Sequence, residues 1–310
     1  MKVAITCGHL QRDVELHRER IEAAGHQVVL PNVPGQELAG SDLIEAMDGI
    51  DGVIAGDDQF SAEVLDALPG LSVISKWGIG LDAIDLDHAA ERGVIVTNTP
   101  AMFGNEVAEQ ALGYLIALVR SLTVVDHEVR NGGWPKPVGR SLGSLRACVL
   151  GLGNIGSTLA QKLLALGLTV SGSDPAPSAV KWCADNGVTH GELASLVTDV
   201  DVLFVTCPLN EATRGIVDHD LIGVMPRGSW LVNVGRGPVV RLDAVVAALE
   251  SGHLAGAGLD VYEEEPLGDH PIRTLANVIL GSHNASNTWE ACQRTHVASI
   301  KNLLDNLTAP

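Results

Sequence analysis

The 310-residue sequence predicts an α/β protein of two parallel-sheet domains with a cleft between them, and three observations carry that expectation. Strand-length apolar runs alternate with helix-length segments along most of the chain, the pattern of a helix-covered parallel sheet. A glycine-spaced turn, Gly151-Leu152-Gly153-Asn154-Ile155-Gly156, lies mid-chain between a strand-like run and a helix-like one. Polar residues interrupt several apolar runs at their ends, where open α/β sheets place their ligands.

Taken in order, residues 3–6, 27–30, 52–55 and 71–75 read as strands, with helices expected over 12–24, 41–47 and 62–68. A long apolar helix is expected over 106–122, with Leu112, Leu115, Ile116 and Val119 on one side. Residues 131–137, rich in Gly and Pro, break regular structure. Strands are then expected at 145–150, 168–173, 202–206, 229–233, 256–259 and 278–281, and a last helix over 288–307. That helix is long enough to return to the first domain. The boundaries expected are therefore 1–99 plus 286–310 for a discontinuous domain and 100–285 for an inserted one. Two crossings of the chain between domains would permit hinge closure.

The glycine turn is preceded by the apolar run 145–150 and followed by helical periodicity over 157–166, the order a dinucleotide site requires. Gly151 suits the tight turn, Gly153 admits a pyrophosphate against bare backbone, and Gly156 lets helix pack on strand. The helix N-terminus then faces the phosphates. Asp174 ends the next strand at the place of the acid that holds ribose hydroxyls, and no Arg in Pro175-Ala176-Pro177-Ser178 welcomes a 2′-phosphate. A Rossmann-like domain with NAD as cofactor is the expectation, beside a flavodoxin-like first domain.

Composition narrows the partners. With 20 Lys and Arg against 38 Asp and Glu, a net charge of −18 repels nucleic acid and anionic membrane surfaces. The substrate is therefore expected to be a small molecule held by local cations. Cys7, Cys148, Cys183, Cys207 and Cys292 are scattered without CxxC spacing, as reduced thiols would be. No run approaches 18 apolar residues, so a soluble, cytoplasmic protein is expected. Asp218-His219-Asp220 and Asp269-His270 lack a second ligand cluster, and no metal is expected.

Four further segments carry polar residues at apolar run ends: Lys76-Trp77-Gly78-Ile79-Gly80, Asn233-Val234-Gly235-Arg236-Gly237, Asp260-Val261-Tyr262-Glu263-Glu264-Glu265-Pro266 and Gly281-Ser282-His283-Asn284. At these residues, and over nearly its whole length, the chain resembles the D-isomer-specific 2-hydroxyacid dehydrogenases, in particular the phosphoglycerate dehydrogenase-like branch without a regulatory domain. The resemblance implies that Arg236, Glu265 and His283 are catalytic and that Lys76, Trp77, Gly78, Ile79 and Gly80 bind substrate. It implies cofactor contacts by Val107, Asn154, Ile155, Thr206, Cys207, Pro208, Thr213, Val234, Gly235 and Asp260, beside the glycines and Asp174. It also implies a homodimer, formed through the long helix from Glu106 and the loop over 131–137. The histidine context departs from the family's usual Pro-His-Ile-Gly type, being Ser282-His283-Asn284-Ala285.

The residue types suit the chemistry. Oxidising a 2-hydroxy acid needs a base for the hydroxyl proton, a cation for carboxylate and carbonyl oxygen, and a hydride acceptor. His283, Arg236 and NAD would fill those roles, with Glu265 beside the imidazole. Taken alone, Glu263, Glu264 and Glu265 read as a solvated acidic turn. The expected activity is hydride transfer between NAD and C2 of a small D-2-hydroxy acid, 3-phosphoglycerate among the possibilities. Alternatives are an NAD-sensing, corepressor-like interaction protein on the same scaffold, a glyoxylate or hydroxypyruvate reductase, and a hydrolase of the adenosylhomocysteine type. Against phosphoglycerate, the loop Ala55-Gly56-Asp57-Asp58-Gln59 has two acids and no base.

Overall fold

Aliphatic runs too short for a stable helix build the first sheet: β1 (Lys2–Ile5), β2 (Gln27–Val29), β3 (Gly52–Ala55), β4 (Val73–Lys76) and β5 (Ile95–Thr97). They lie in the order β2-β1-β3-β4-β5 and every pairing is parallel. The computed structural model describes residues 1–307, so residues 308–310 of the expected first domain lie outside the described residues. The chain divides into two units, Met1–Met102 with the chain from Asn287 onward, and Phe103–Ser286.

In the first unit, Ala4, Val53, Ile74, Leu43, Phe60 and Leu65 form a buried cluster on one sheet face. The C-terminal helix Trp289–Asn306 packs on β3 and β4. Gly52 allows that approach, since a Cβ there would meet the Leu303 and Leu307 methyls at 3.1 Å. The helix expected over 12–24 is instead broken into Gly8–Arg12, a 3-10 turn Val14–Leu16 and Arg18–Glu22. Asp13, at the first break, accepts hydrogen bonds from Gln293 and His296 of the C-terminal helix, a tertiary demand that periodicity does not encode. β5, three residues long at the sheet edge, was not expected.

The second unit holds β6 (Arg146–Leu150), β7 (Thr169–Ser173), β8 (Thr189–His190), β9 (Val202–Val205), β10 (Ser229–Asn233), β11 (Leu254–Leu259) and β12 (Val278–Leu280). Their order is β12-β11-β10-β9-β6-β7-β8, all parallel. The chain runs outward from β6 to β8, then restarts at β9 on the other side of β6. That reversal opens a crevice at the carboxyl ends of β6 and β9, where such sheets bind ligands. Cys148, Leu203, Val205, Leu231, Val245 and Leu259 belong to the core on one side of this sheet.

The long helix spans Gly104–Val119 and not 106–122. It stops where Ser121 takes a left-handed φ of 52°, and a second helix, Leu122–Arg130, bends away by 60°. None of this second helix is buried within the unit. Among the described residues, no single helix is long and apolar enough to cross a membrane.

Candidate functional site

The glycine turn follows β6 and opens the helix Asn154–Ala165. Gly151 has φ +89°, and a Cβ on it would come 2.6 Å from Cys207 Cα. A Cβ on Gly156 would come 1.9 Å from the Gly151 carbonyl oxygen, so helix and strand meet there backbone to backbone. Gly153 differs, since its Cβ would meet nothing within 4 Å. The turn therefore leaves open space in front of a helix N-terminus, as a pyrophosphate needs. Asp174, just beyond β7, accepts from Leu152 N (2.7 Å) through Oδ2 and from Ala176 N (2.8 Å) through Oδ1. Its carboxylate is thus fixed beside the turn, and the residues present fit a dinucleotide.

Other cofactor candidates are placed in varied ways. Asn154 and Gly153 are exposed at the helix start, and Ile155 is half-buried. Asn154 packs on the start of the Gly104–Val119 helix, where a Cβ on Gly104 would reach its Oδ1 at 2.5 Å; Val107 is buried one turn along. The Thr206 hydroxyl donates to the Gly151 carbonyl (2.7 Å) and so secures the turn itself. Cys207 is buried beneath Gly151, and burial pushes its thiol up to about 11. The Thr213 hydroxyl donates to the Pro208 carbonyl (2.7 Å) within its own loop. His190 was not foreseen; its Nε2 contacts the Asp174 carbonyl at 2.9 Å, a placement with no motif in the sequence.

The three catalytic candidates follow three neighbouring strands: Arg236 after β10, Glu265 after β11 and His283 after β12. Asn233 shapes the arginine loop, accepting from Gly235 N at 3.1 Å and donating to the Arg236 carbonyl at 3.1 Å. The Gly235 loop packs tightly on the β9 end, where a Cβ would meet the Cys207 carbonyl at 2.9 Å, and Val234 is buried beside it. Glu265 Oε1 accepts from Tyr262 N at 2.9 Å, and Oε2 lies 2.7 Å from His283 Nδ1. Glu263 and Glu264 are exposed, and Glu263 approaches Arg241 instead. Asp260 is buried; its main-chain oxygen accepts from His283 N (2.7 Å) and its Oδ2 from Ala285 N (2.8 Å). Tyr262 also ties the loops together, its hydroxyl lying 2.8 Å from the Gly281 carbonyl, and burial raises it to about 12.

The substrate-loop candidates belong to the first unit, at the end of β4. Lys76 is buried and already held, with Nζ 2.8 Å from Asp57 Oδ1 and donating to the Gly56 carbonyl. Trp77 is turned inward, stacked on His9 (centroids 5.1 Å apart) and donating from Nε1 to His296 Nδ1 at 2.9 Å. Gly78 N donates to Thr99 Oγ1 (3.1 Å), which leaves the Ile79 and Gly80 N–H groups as the loop's candidate donors. Of the two neighbouring acids, Asp58 is a buried pin, accepting from Thr6, Leu38 N and Gly56 N. Among the described residues, no group of three or more His, Cys, Asp or Glu is arranged to hold a metal ion.

The chain is similar to known proteins. The sequence model of a family described as D-isomer specific 2-hydroxyacid dehydrogenase, NAD binding domain, matches residues 112–285. A glyoxylate reductase of Thermofilum pendens is 35% identical over 257 residues, which cover 80% of this chain and 75% of that protein. A glyoxylate/hydroxypyruvate reductase A of Arabidopsis thaliana is 35% identical over 240 residues, covering 74% of this chain and 73% of that protein. Among solved structures, the D-lactate dehydrogenase from Aquifex aeolicus complexed with NAD and lactic acid superposes with a TM-score of 0.83 at 25% identity, covering 97% of this chain and 93% of that one.

Proposed function

The chain belongs to the D-isomer specific 2-hydroxyacid dehydrogenase family of NAD-dependent oxidoreductases, and on that premise we propose that it interconverts a small, unphosphorylated 2-keto acid and its D-2-hydroxy acid. Glyoxylate and hydroxypyruvate are the type of substrate in view. The observation that carries the catalytic reading is the Glu265–His283 pair, 2.7 Å apart at the ends of neighbouring strands.

Glu265 occupies Nδ1, so Nε2 is the imidazole atom that faces chemistry. In oxidation, His283 Nε2 takes the substrate hydroxyl proton while the C2 hydrogen departs with its electron pair and the C2–O bond becomes a carbonyl. NAD, when bound, supplies the acceptor for that hydride and, as NADH, the donor in reduction. Glu265 favours the protonated ring that results and fixes the ring's orientation. Arg236 presents a planar fork suited to the substrate carboxylate and to charge on the carbonyl oxygen. In reduction His283 returns the proton. Gly151, Gly153, Gly156 and Asp174 would hold the cofactor by the fit described above.

Lys76 speaks against a phosphate on the substrate. Its charge is balanced by Asp57 at 2.8 Å, and no other cation stands in the Ala55-Gly56-Asp57-Asp58-Gln59 loop. A phosphoryl group there would meet a neutralised lysine beside an acid. A homodimer is supported by the segment from Leu122 to Val138, on which Leu122, Val124, Val129, Trp134 and Val138 are all exposed and would be covered by a second copy. Five thiols without a disulfide suit a reducing compartment, and we place the enzyme in the cytoplasm.

A panel of glyoxylate, hydroxypyruvate, pyruvate and 3-phosphoglycerate with both nicotinamide cofactors tests the reading. The highest kcat/KM is expected for an unphosphorylated acid with NAD(H). A preference for 3-phosphoglycerate overturns the substrate class, and tight NADH binding without turnover on any acid favours the NAD-sensing alternative.

A further inference from the structure

Tyr114 stands on the Gly104–Val119 helix, 5% exposed, and its hydroxyl donates to Asp260 Oδ1 at 3.0 Å. Nothing in the proposed chemistry uses this tyrosine. Its partner, however, holds the histidine turn at two points, through the main-chain bond from His283 N and the side-chain bond from Ala285 N. That turn is not self-supporting. His283 has φ 55°, a left-handed conformation that a residue with a Cβ adopts only when its surroundings impose it.

The space around the hydroxyl is cleared on two sides. A Cβ on Gly258 would lie 2.7 Å from Tyr114 Cβ, and one on Gly281 would lie 2.2 Å from both Tyr114 Oη and Asp260 Oδ1. A strand residue, Gly258, and the first residue after β12, Gly281, thus give up side chains where the Tyr–Asp bond sits. Packing alone would be served by Phe; the hydroxyl adds a donor to a buried carboxylate that is otherwise short of one on Oδ1. Burial also pushes the phenol up, so it remains a donor at any pH the enzyme meets.

We infer that Tyr114 is a positioning residue for the hydride-transfer reaction: its hydroxyl fixes Asp260, and Asp260 fixes the main chain on both sides of His283, which aims the imidazole. Oδ1 held by the helix keeps Oδ2 on Ala285 N. With that bond lost, the carboxylate is free to rotate, and the left-handed turn relaxes. The inference rests on His283 being the acid–base group.

The test is a double-mutant cycle of Tyr114→Phe and His283→Ala, with thermal melting and NADH fluorescence titration of each variant. Tyr114→Phe is expected to lower kcat about tenfold, as a slightly misaimed group does, with KM changed less than about threefold and NADH affinity retained. In the His283→Ala background the same change is expected to cost nothing further, because there is no ring left to aim. A merely structural tyrosine would lower kcat by the same factor in both backgrounds, and that result overturns the inference. So does wild-type turnover in a folded Tyr114→Phe. Gly281→Ala reaches the same bond from the other side and is expected to reproduce the kcat loss; full turnover in that variant also overturns it. Wild-type turnover in His283→Ala overturns instead the acid–base assignment, so the two failures are distinguishable.

Discussion

His283 Nδ1 and Glu265 Oε2 lie 2.7 Å apart although the residues are 18 positions apart in the chain. Parallel pairing of β11 with β12 produces that proximity, since both loops leave the same edge of the sheet. The contact engages Nδ1 and fixes the plane of the ring, and the acid–base role proposed for His283 is therefore assigned to Nε2.

His283→Ala should therefore lower kcat by ~10²–10⁴-fold, the range for loss of a positioned acid–base group. Glu265→Gln keeps a hydrogen-bonding side chain and removes its charge, so a smaller loss is expected, with KM little changed. Steady-state kinetics in both directions check this. Undiminished turnover in His283→Ala removes the histidine from the mechanism.

The glycines of the turn should separate into two behaviours. Gly156→Ala puts a Cβ 1.9 Å from a backbone oxygen, where nothing flexible can yield, so a fall in melting temperature is expected even without cofactor. Gly153→Ala puts its Cβ into open space, so the melting temperature should hold while NAD affinity drops. Calorimetry and NADH titration on the two variants check the contrast; equal melting losses would contradict it.

Asp174 is held by Leu152 N and Ala176 N beside the glycine turn, where the proposed ribose contact falls. Asp174→Ala should weaken NAD by about ten- to a hundredfold, the worth of a hydrogen bond to a charged group of ~1.5–3 kcal/mol. NADP should be affected less, because removal of the acid also removes repulsion of its 2′-phosphate. Dissociation constants for both cofactors check the ratio, and a parallel loss of the two would refute the assignment.

Much of this arrangement is legible in the chain because it is local. The glycine turn, Asp174 and the polar strand ends are set by sequence neighbours; the residues alone do not tell Glu265 from Glu263 and Glu264, the family resemblance picks it, and in the fold it is Glu265 whose Oε2 lies 2.7 Å from His283 Nδ1. What stays hidden depends on distant packing. The break at Asp13 answers to Gln293 and His296, and the break at Ser121 interrupts an apolar period that continues in the sequence. Lys76 reads as a candidate cation for substrate, yet Asp57 neutralises it from another strand end. Trp77 reads as a substrate contact, yet its ring is turned onto His9. Tyr114 reads as one apolar position of a helix, because only the strand pairing shows that Gly258 and Gly281 vacate its surroundings.

Acid should weaken the first unit through His296. His296 is fully buried on the C-terminal helix, accepting from Trp77 Nε1 at Nδ1 and facing Asp13 Oδ2 at 3.3 Å through Nε2. This is the neutral tautomer with its proton on Nε2. Burial, aided by nearby His17 and opposed by Asp13, lowers the ring from 6.5 to about 4. Below 6.5 the unfolded chain takes up a proton that the native ring refuses, so stability must fall as pH drops from 6.5 toward 4 and gain nothing from this group above 6.5. His296→Asn retains an acceptor for Trp77 and cannot titrate. It should lower the melting temperature at pH 7.5 through lost packing, yet show a shallower decline between pH 6.5 and 4 than the unaltered protein. Comparing the two slopes isolates His296 from His9, which burial also lowers, and from Asp58, which burial raises. Identical slopes would mean that the ring is protonated in the fold and that the Trp77 bond is made in some other way.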